Sequence, residues 1–154
     1  ILNIIDSLSK DELNDVSFIL FDNEEKGKKG SKAFFSDYKD NMKECFLVNF
    51  DCVGNGDNIL FIAEEGAVSS PKYSILKDSF EDKGKFRLDF LSHKEAQSNS
   101  DHKNFPLGVA CIACKKNSMG LLYTPHIHTS KDVVVSNENI DFISKNIVSF
   151  ISKI

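Results

Sequence analysis

Glu24 and Glu25 stand side by side at the end of an apolar run, Val16-Ser17-Phe18-Ile19-Leu20-Phe21, and lead into the glycine-punctuated segment Lys26-Gly27-Lys28-Lys29-Gly30. Adjacent side chains of an extended chain point in opposite directions, so two neighbouring carboxylates are suited to different tasks, one to a metal ion and one to a proton. Asp51 ends a second apolar run, Glu44-Cys45-Phe46-Leu47-Val48-Asn49-Phe50, just before Cys52-Val53-Gly54. His128 lies later, in the loop Pro125-His126-Ile127-His128-Thr129-Ser130-Lys131-Asp132. Carboxylate oxygens and an imidazole nitrogen, scattered in sequence and gathered in space, are the ligand chemistry of a hydrolytic zinc site. Taken singly, each has an ordinary explanation: a solvated lysine-rich corner, an acid before a glycine turn, a surface loop histidine. His126 also competes with His128, because residues two apart on an extended segment face the same way.

The hydrophobic pattern supplies elements to position these groups. Val16 to Phe21 has the length and the β-branched and aromatic content of a strand covered on both faces. Ser31 can cap a following helix that turns Ala33, Phe34, Phe35 and Tyr38 toward a sheet. Glu44 to Asp51 is the next strand. Strands joined through a helix run parallel and end on one edge, so Glu24, Glu25 and Asp51 are expected to meet there. Further strands are expected at Ile59 to Ala63, Phe86 to Leu91, Val109 to Cys114 and Met119 to Thr124, with a helix around Tyr73 to Phe80 and a loop from Ser92 to Pro106. A final amphipathic helix carries Ile140, Ile143, Ile147, Phe150, Ile151 and Ile154, with Ser136 or Asn137 as its cap. The pattern predicts an α/β domain whose ligands sit outside the carboxyl ends of the strands.

With 154 residues, 41% of them hydrophobic, the chain suits one domain with a proper core and is short for two. A net charge of -4, a pI near 5.6 and a single arginine, Arg87, argue against a nucleic-acid binder. Lys26, Lys28 and Lys29 read as a solubilising turn, and no apolar run is long enough to span a membrane. Of the cysteines Cys45, Cys52, Cys111 and Cys114, the last two form a solitary Cys-x-x-Cys inside a strand pattern. Positions three apart on a strand face opposite sides, so buried free thiols are expected rather than a zinc ribbon. Ile1, Ile4, Ile5 and Leu8 form a helical apolar stripe already in phase at the first residue, with no starting Met and no cap, which predicts that the chain begins inside an element.

Four segments in order, Phe21-Asp-Asn-Glu-Glu-Lys-Gly-Lys-Lys-Gly-Ser31, Asn49-Phe-Asp-Cys-Val-Gly54, Ser100-Asp-His-Lys-Asn-Phe105 and His128-Thr-Ser-Lys-Asp132, resemble signature segments of the di-zinc aminopeptidase family that includes the bacterial secreted leucine-type aminopeptidases. The resemblance implies a three-layer α/β/α exopeptidase fold with a mixed, mostly parallel sheet. It also implies removal of N-terminal residues from peptides by two co-catalytic zinc ions. By motif, Glu24 is similar to the general base, Glu25 and His128 to ligands of one zinc, and Asp51 to a ligand of the other. The His-Thr-x-x-Asp pattern selects His128 over His126. Asp101, His102 and Asp132 fall in family segments near the pocket.

The family's remaining ligands, a histidine and a bridging carboxylate, come from a segment preceding the helix that opens this chain. Before Glu24 there are only Asp6, Asp11, Glu12, Asp15 and Asp22, and no histidine. The resemblance therefore implies that residues 1–154 are the C-terminal portion of a peptidase domain. Such a portion keeps about half of each metal's ligands, holds zinc weakly and is inactive by itself. Ile127 stands where some relatives have a tyrosine. A free N-terminal peptide is the implied partner, and an uncovered sheet or helix face implies self-association. Two other readings share the fold: a non-catalytic binding module, and a single-zinc cyclase of the glutaminyl type. The lack of tryptophan and the Glu-Glu pair disfavour the cyclase.

Overall fold

The computed structural model describes residues 1–81, 84–96 and 98–154. Two short helices open the chain, α1 (Leu2–Ser7) and α2 (Lys10–Asn14), and α3 (Lys29–Asp37), α4 (Lys39–Met42) and α5 (Glu65–Val68) follow. Ile4 and Leu8 of the expected stripe are buried, whereas Ile1 is exposed. The polar run after α1 forms α2 because Ser9 and Glu12 make a capping box, each side chain satisfying the other residue's backbone N–H.

The sheet is ordered β1-β4-β2-β3, where β1 is Leu47–Phe50, β2 Asn58–Ala63, β3 Arg87–Ser92 and β4 Gly108–Lys116. A short β5 (Leu122–Tyr123) pairs with the end of β4. β1 runs parallel to β4 and β2 parallel to β3, while β4 is antiparallel to β2 and β5. The fold is thus α/β with a mixed open sheet in which two of the three ladders among strands β1 to β4 are parallel. Every residue of β2 is buried, as its unbroken apolar sequence requires of a strand covered on both faces.

On one face Ile59, Phe61, Ala63, Val109, Cys111 and Ala113 meet Leu76 of α6 (Pro71–Ser79) and Ile143, Ile147 and Phe150 of α7 (Asn137–Ile151). Phe61 stacks on Phe90 at 4.6 Å and meets Phe80 edge-on at 4.8 Å. The opposite face gathers Leu60, Ile62, Ala110 and Cys114. Cys111 and Cys114 therefore point to opposite sides of β4, and both are free and buried. Ser136 caps α7 by accepting from the Asn139 N–H, and Ile154 falls beyond the helix end, exposed.

Val16 to Phe21 is not a strand. It runs outside the sheet as an irregular segment with Leu20 84% exposed. Strand backbone needs a ladder partner for its N–H and C=O groups, and an apolar run does not encode one. The aromatic side chains find other partners: Phe18 joins the main core, and Phe21 packs on Phe34 at 5.8 Å and Phe105 at 5.7 Å. Met119 to Thr124 likewise shortens to β5, because Asn117 closes a turn by bonding Leu121 and Gly120. The helix after the glycines, α3 (Lys29–Asp37), turns Phe34 and Phe35 inward but leaves Ala33 and Tyr38 exposed.

No helix among the described residues is long and apolar enough to cross a membrane. Leu2, Leu20, Met119, Leu121 and Val133 to Val135 remain exposed, and β1 is an edge strand whose residues are only half-buried. Exposed apolar side chains and an open strand edge each favour association. Sedimentation equilibrium is expected to show an average mass that rises with concentration; a mass that stays monomeric at high concentration contradicts this.

Candidate active site

Glu24 and Glu25 sit in a tight turn between the irregular segment and α3, not at a strand end. The Glu24 carbonyl accepts from the N–H of Gly27 at 3.0 Å and of Lys28 at 2.7 Å, and the Asp22 carbonyl accepts from Gly30 at 3.2 Å. Asn23 (φ 52°) and Lys28 (φ 56°) adopt the left-handed conformation, which costs a residue with a side chain about 1–2 kcal/mol. A Cβ on Gly30 would lie 2.5 Å from Asp22 Oδ1 and 2.6 Å from its carbonyl oxygen, so only glycine allows the two ends of the turn to close. Ser31 is not a helix cap. It lies within the first turn of α3, where its buried hydroxyl donates to Asp101 Oδ1 at 2.5 Å and accepts from Asn104 Nδ2 at 2.6 Å. The cap position falls to Lys28, which has no side-chain cap bond.

Asp51 continues β1 by one step, its N–H donating to the Cys111 carbonyl at 3.1 Å, and so stands at the carboxyl end of the strand as expected. Cys52, at φ 55°, turns the chain away. Its thiol donates to Asp51 Oδ1 at 3.2 Å, and burial, that bond and the charges of Asp51, Asp132 and Glu25 push its pKa up to about 12.

Glu24, Glu25, Asp51, Cys52, His128 and Asp132 line one open cleft of about 590 Å³, with Ile112, Thr124 and Ile127 as its apolar wall. His128 Nδ1 lies 3.5 Å from Glu25 Oε1. His126 is not among the lining residues. Both histidines hold positive φ, 61° and 60°, in a loop that alternates its side chains by backbone turning and not by strand pleating. Glu24 has its pKa raised, first by burial and then by the neighbouring charges of Asp51, Glu25 and Asp101, with Lys28 opposing.

This donor set is chemically suited to zinc, which takes carboxylate oxygen and imidazole nitrogen. Its number is not complete. Glu25 and His128 form a close pair, but among the described residues no group of three or more His, Cys, Asp or Glu side chains is arranged to hold a metal ion. A catalytic zinc site has three protein ligands, so the cleft offers one pair and a separate carboxylate.

The expected loop from Ser92 to Pro106 contains a short 3-10 helix, Asp101–Asn104, that buries Asp101 and His102. Of the three residues expected around the pocket, Asp132 lines the cleft and Asp101 reaches it only through its charge on Glu24. His102 faces the interior. It is fully buried, with Nε2 3.7 Å from Glu64 Oε1, and His93 Nδ1 lies 3.8 Å from that same oxygen. The charges of Asp51 and Lys28, both in the lining of the cleft, nonetheless reach the His102 imidazole. The sequence reading also missed Cys52, Ser31's bridging role and the Glu64 cluster. Only Cys52 carried a local signal, its position directly after Asp51.

An open α/β sheet binds its ligands beyond the carboxyl ends of its strands, where Asp51 stands. The chain belongs to Peptidase family M28, whose family model matches residues 1–151. That is a family of zinc-dependent peptidases. No curated protein and no solved structure matches the chain.

Burial of His102 holds its pKa down to about 4. The unfolded chain takes that proton near pH 6.5, whereas the folded chain refuses it until about pH 4. The unfolded state thus binds more protons between these values, and stability falls as pH drops through the window, by about 3 kcal/mol over its full width. Denaturant unfolding from pH 7 to pH 4 is expected to lose this component in His102→Gln. An unchanged pH slope in that variant contradicts it.

Proposed function

We propose that the protein is a metallo-aminopeptidase, or the part of one that carries the proton-transfer glutamate and part of the metal ligands. The observation that carries the reading is the shared cleft: Glu24, Glu25, Asp51 and His128 all line it, in a chain of the M28 family. In this reading Glu25 and His128 hold one zinc ion and Asp51 the other. Zinc bound there would polarise the scissile carbonyl and acidify the attacking water.

Glu24 would take the proton of that water and pass it to the leaving amine. Its pKa, raised first by burial and then by the charges of Asp51, Glu25 and Asp101, favours the accepting half of the task, because a stronger base takes a proton more readily. Glu25, Asp51 and Asp132 make the cleft acidic, which favours the free ammonium of a peptide N-terminus, and Ile112 and Ile127 offer apolar contact to its first side chain. Asp101 stands behind Glu24 and His102 supports the fold beside it.

A pair and a single carboxylate should hold zinc weakly, so the 154 residues alone are expected to cleave amino-acid amides slowly or not at all. The same shortfall favours a second reading, a binding module of the peptidase fold. The two separate in a protein where a further histidine and a bridging carboxylate complete the set. There Glu24→Gln is expected to lower turnover by about 10²–10⁴-fold with zinc content unchanged. Two bound zinc ions with no cleavage of any peptide bearing a free N-terminus would favour the module.

A further inference from the structure

We infer that Ser31 is a positioning residue for Glu24, acting through a buried three-way hydrogen bond with Asp101 and Asn104 that ties the glutamate turn to the 3-10 helix. The Ser31 hydroxyl is inaccessible to solvent, donates to Asp101 Oδ1 and accepts from Asn104 Nδ2. It also lies 3.2 Å from the Lys28 carbonyl, and the Lys28 N–H in turn donates to the Glu24 carbonyl at 2.7 Å. A continuous path of polar contacts therefore runs from the buried Asp101 carboxylate to the backbone of Glu24.

The far side of that path is itself anchored. Asn49 of β1 donates to Ser100 Oγ at 2.8 Å, so the segment holding Asp101 is fixed to the strand that carries Asp51. Across the turn, Lys28 Nζ donates to Asn99 Oδ1 at 2.6 Å. These bonds tie the turn from outside to the segment around the 3-10 helix. Without them the turn has only its own internal hydrogen bonds and left-handed residues that favour opening. Leaving the buried Asp101 carboxylate without the Ser31 donor is costly.

The inference rests on Glu24 as the proton carrier, but its test reads the turn and not turnover. Amide hydrogen exchange is to be followed at Gly27 and Lys28, the donors to the Glu24 carbonyl, and at Phe61 and Ile62 in β2 as a measure of global opening. Ser31→Ala and Asp101→Ala are expected to accelerate Gly27 and Lys28 by about tenfold more than β2, the equivalent of losing one buried hydrogen bond. Asp101→Asn, which keeps the acceptor, is expected to stay within about twofold of the unaltered protein. If Ser31→Ala does not fold, Asn104→Ala is read in the same way. Equal acceleration of the turn and β2, no acceleration in the turn, or failure of Asp101→Asn to protect it overturns the inference. A peptidase assay that fails while the exchange pattern holds would remove the function and leave the positioning intact.

Discussion

β4 is hydrogen-bonded along both edges, parallel to β1 on one side and antiparallel to β2 on the other, and this double ladder determines where the cleft forms. The register that pairs Phe50 with Cys111 carries on to the Asp51 N–H and the Cys111 carbonyl, which places the carboxylate at the sheet's edge. The same strand begins at Gly108, where a Cβ would collide with the His102 carbonyl, so the 3-10 helix packs directly against the start of β4. One strand thus fixes both Asp51 and the buried segment behind Glu24. Backbone groups this far from water must be paired, and little slippage is tolerated once both edges are engaged.

The cleft concentrates negative charge. Glu24, Glu25, Asp51 and Asp132 share its lining, with Lys28 the cationic side chain among the lining residues. The resulting repulsion contributes to the raised pKa of Glu24 and, with burial, to that of Cys52. Like charges gathered in one place are unfavourable in a resting protein, and a divalent cation relieves them more effectively than a proton does. The Glu25–His128 contact has the composition of half a zinc shell, and His128 and Cys52 both adopt the left-handed backbone conformation.

What the sequence disclosed depended on whether the signal was local. The strand at Ile59 to Ala63, the opposite facing of Cys111 and Cys114, a cap at Ser136 or Asn137 and the placement of Asp51 at a strand end all follow from periodicity and turn chemistry within a few residues, and the structure agrees, with Ser136 as the cap. The strand at Val16 to Phe21 was misjudged because its composition fits a strand while its fate depends on a partner edge, a distant property. Ser31 resembles a cap by type and position, yet its partners lie some seventy residues away, at separations of 70 and 73. The Glu64, His93 and His102 cluster is likewise assembled from three separate elements. His128 was separated from His126 by motif, and the backbone geometry that puts only His128 into the cleft was not legible in an alternating pattern.

We propose that the adjacent Glu25 and His128 side chains hold one zinc ion between them, with Asp51 lining the same cleft. Crystals grown in excess zinc and measured at the zinc absorption edge test this most directly. An anomalous peak contacted by the Glu25 carboxylate and the His128 imidazole is expected. Zinc bound elsewhere on the protein, with no peak between these two side chains, would contradict it.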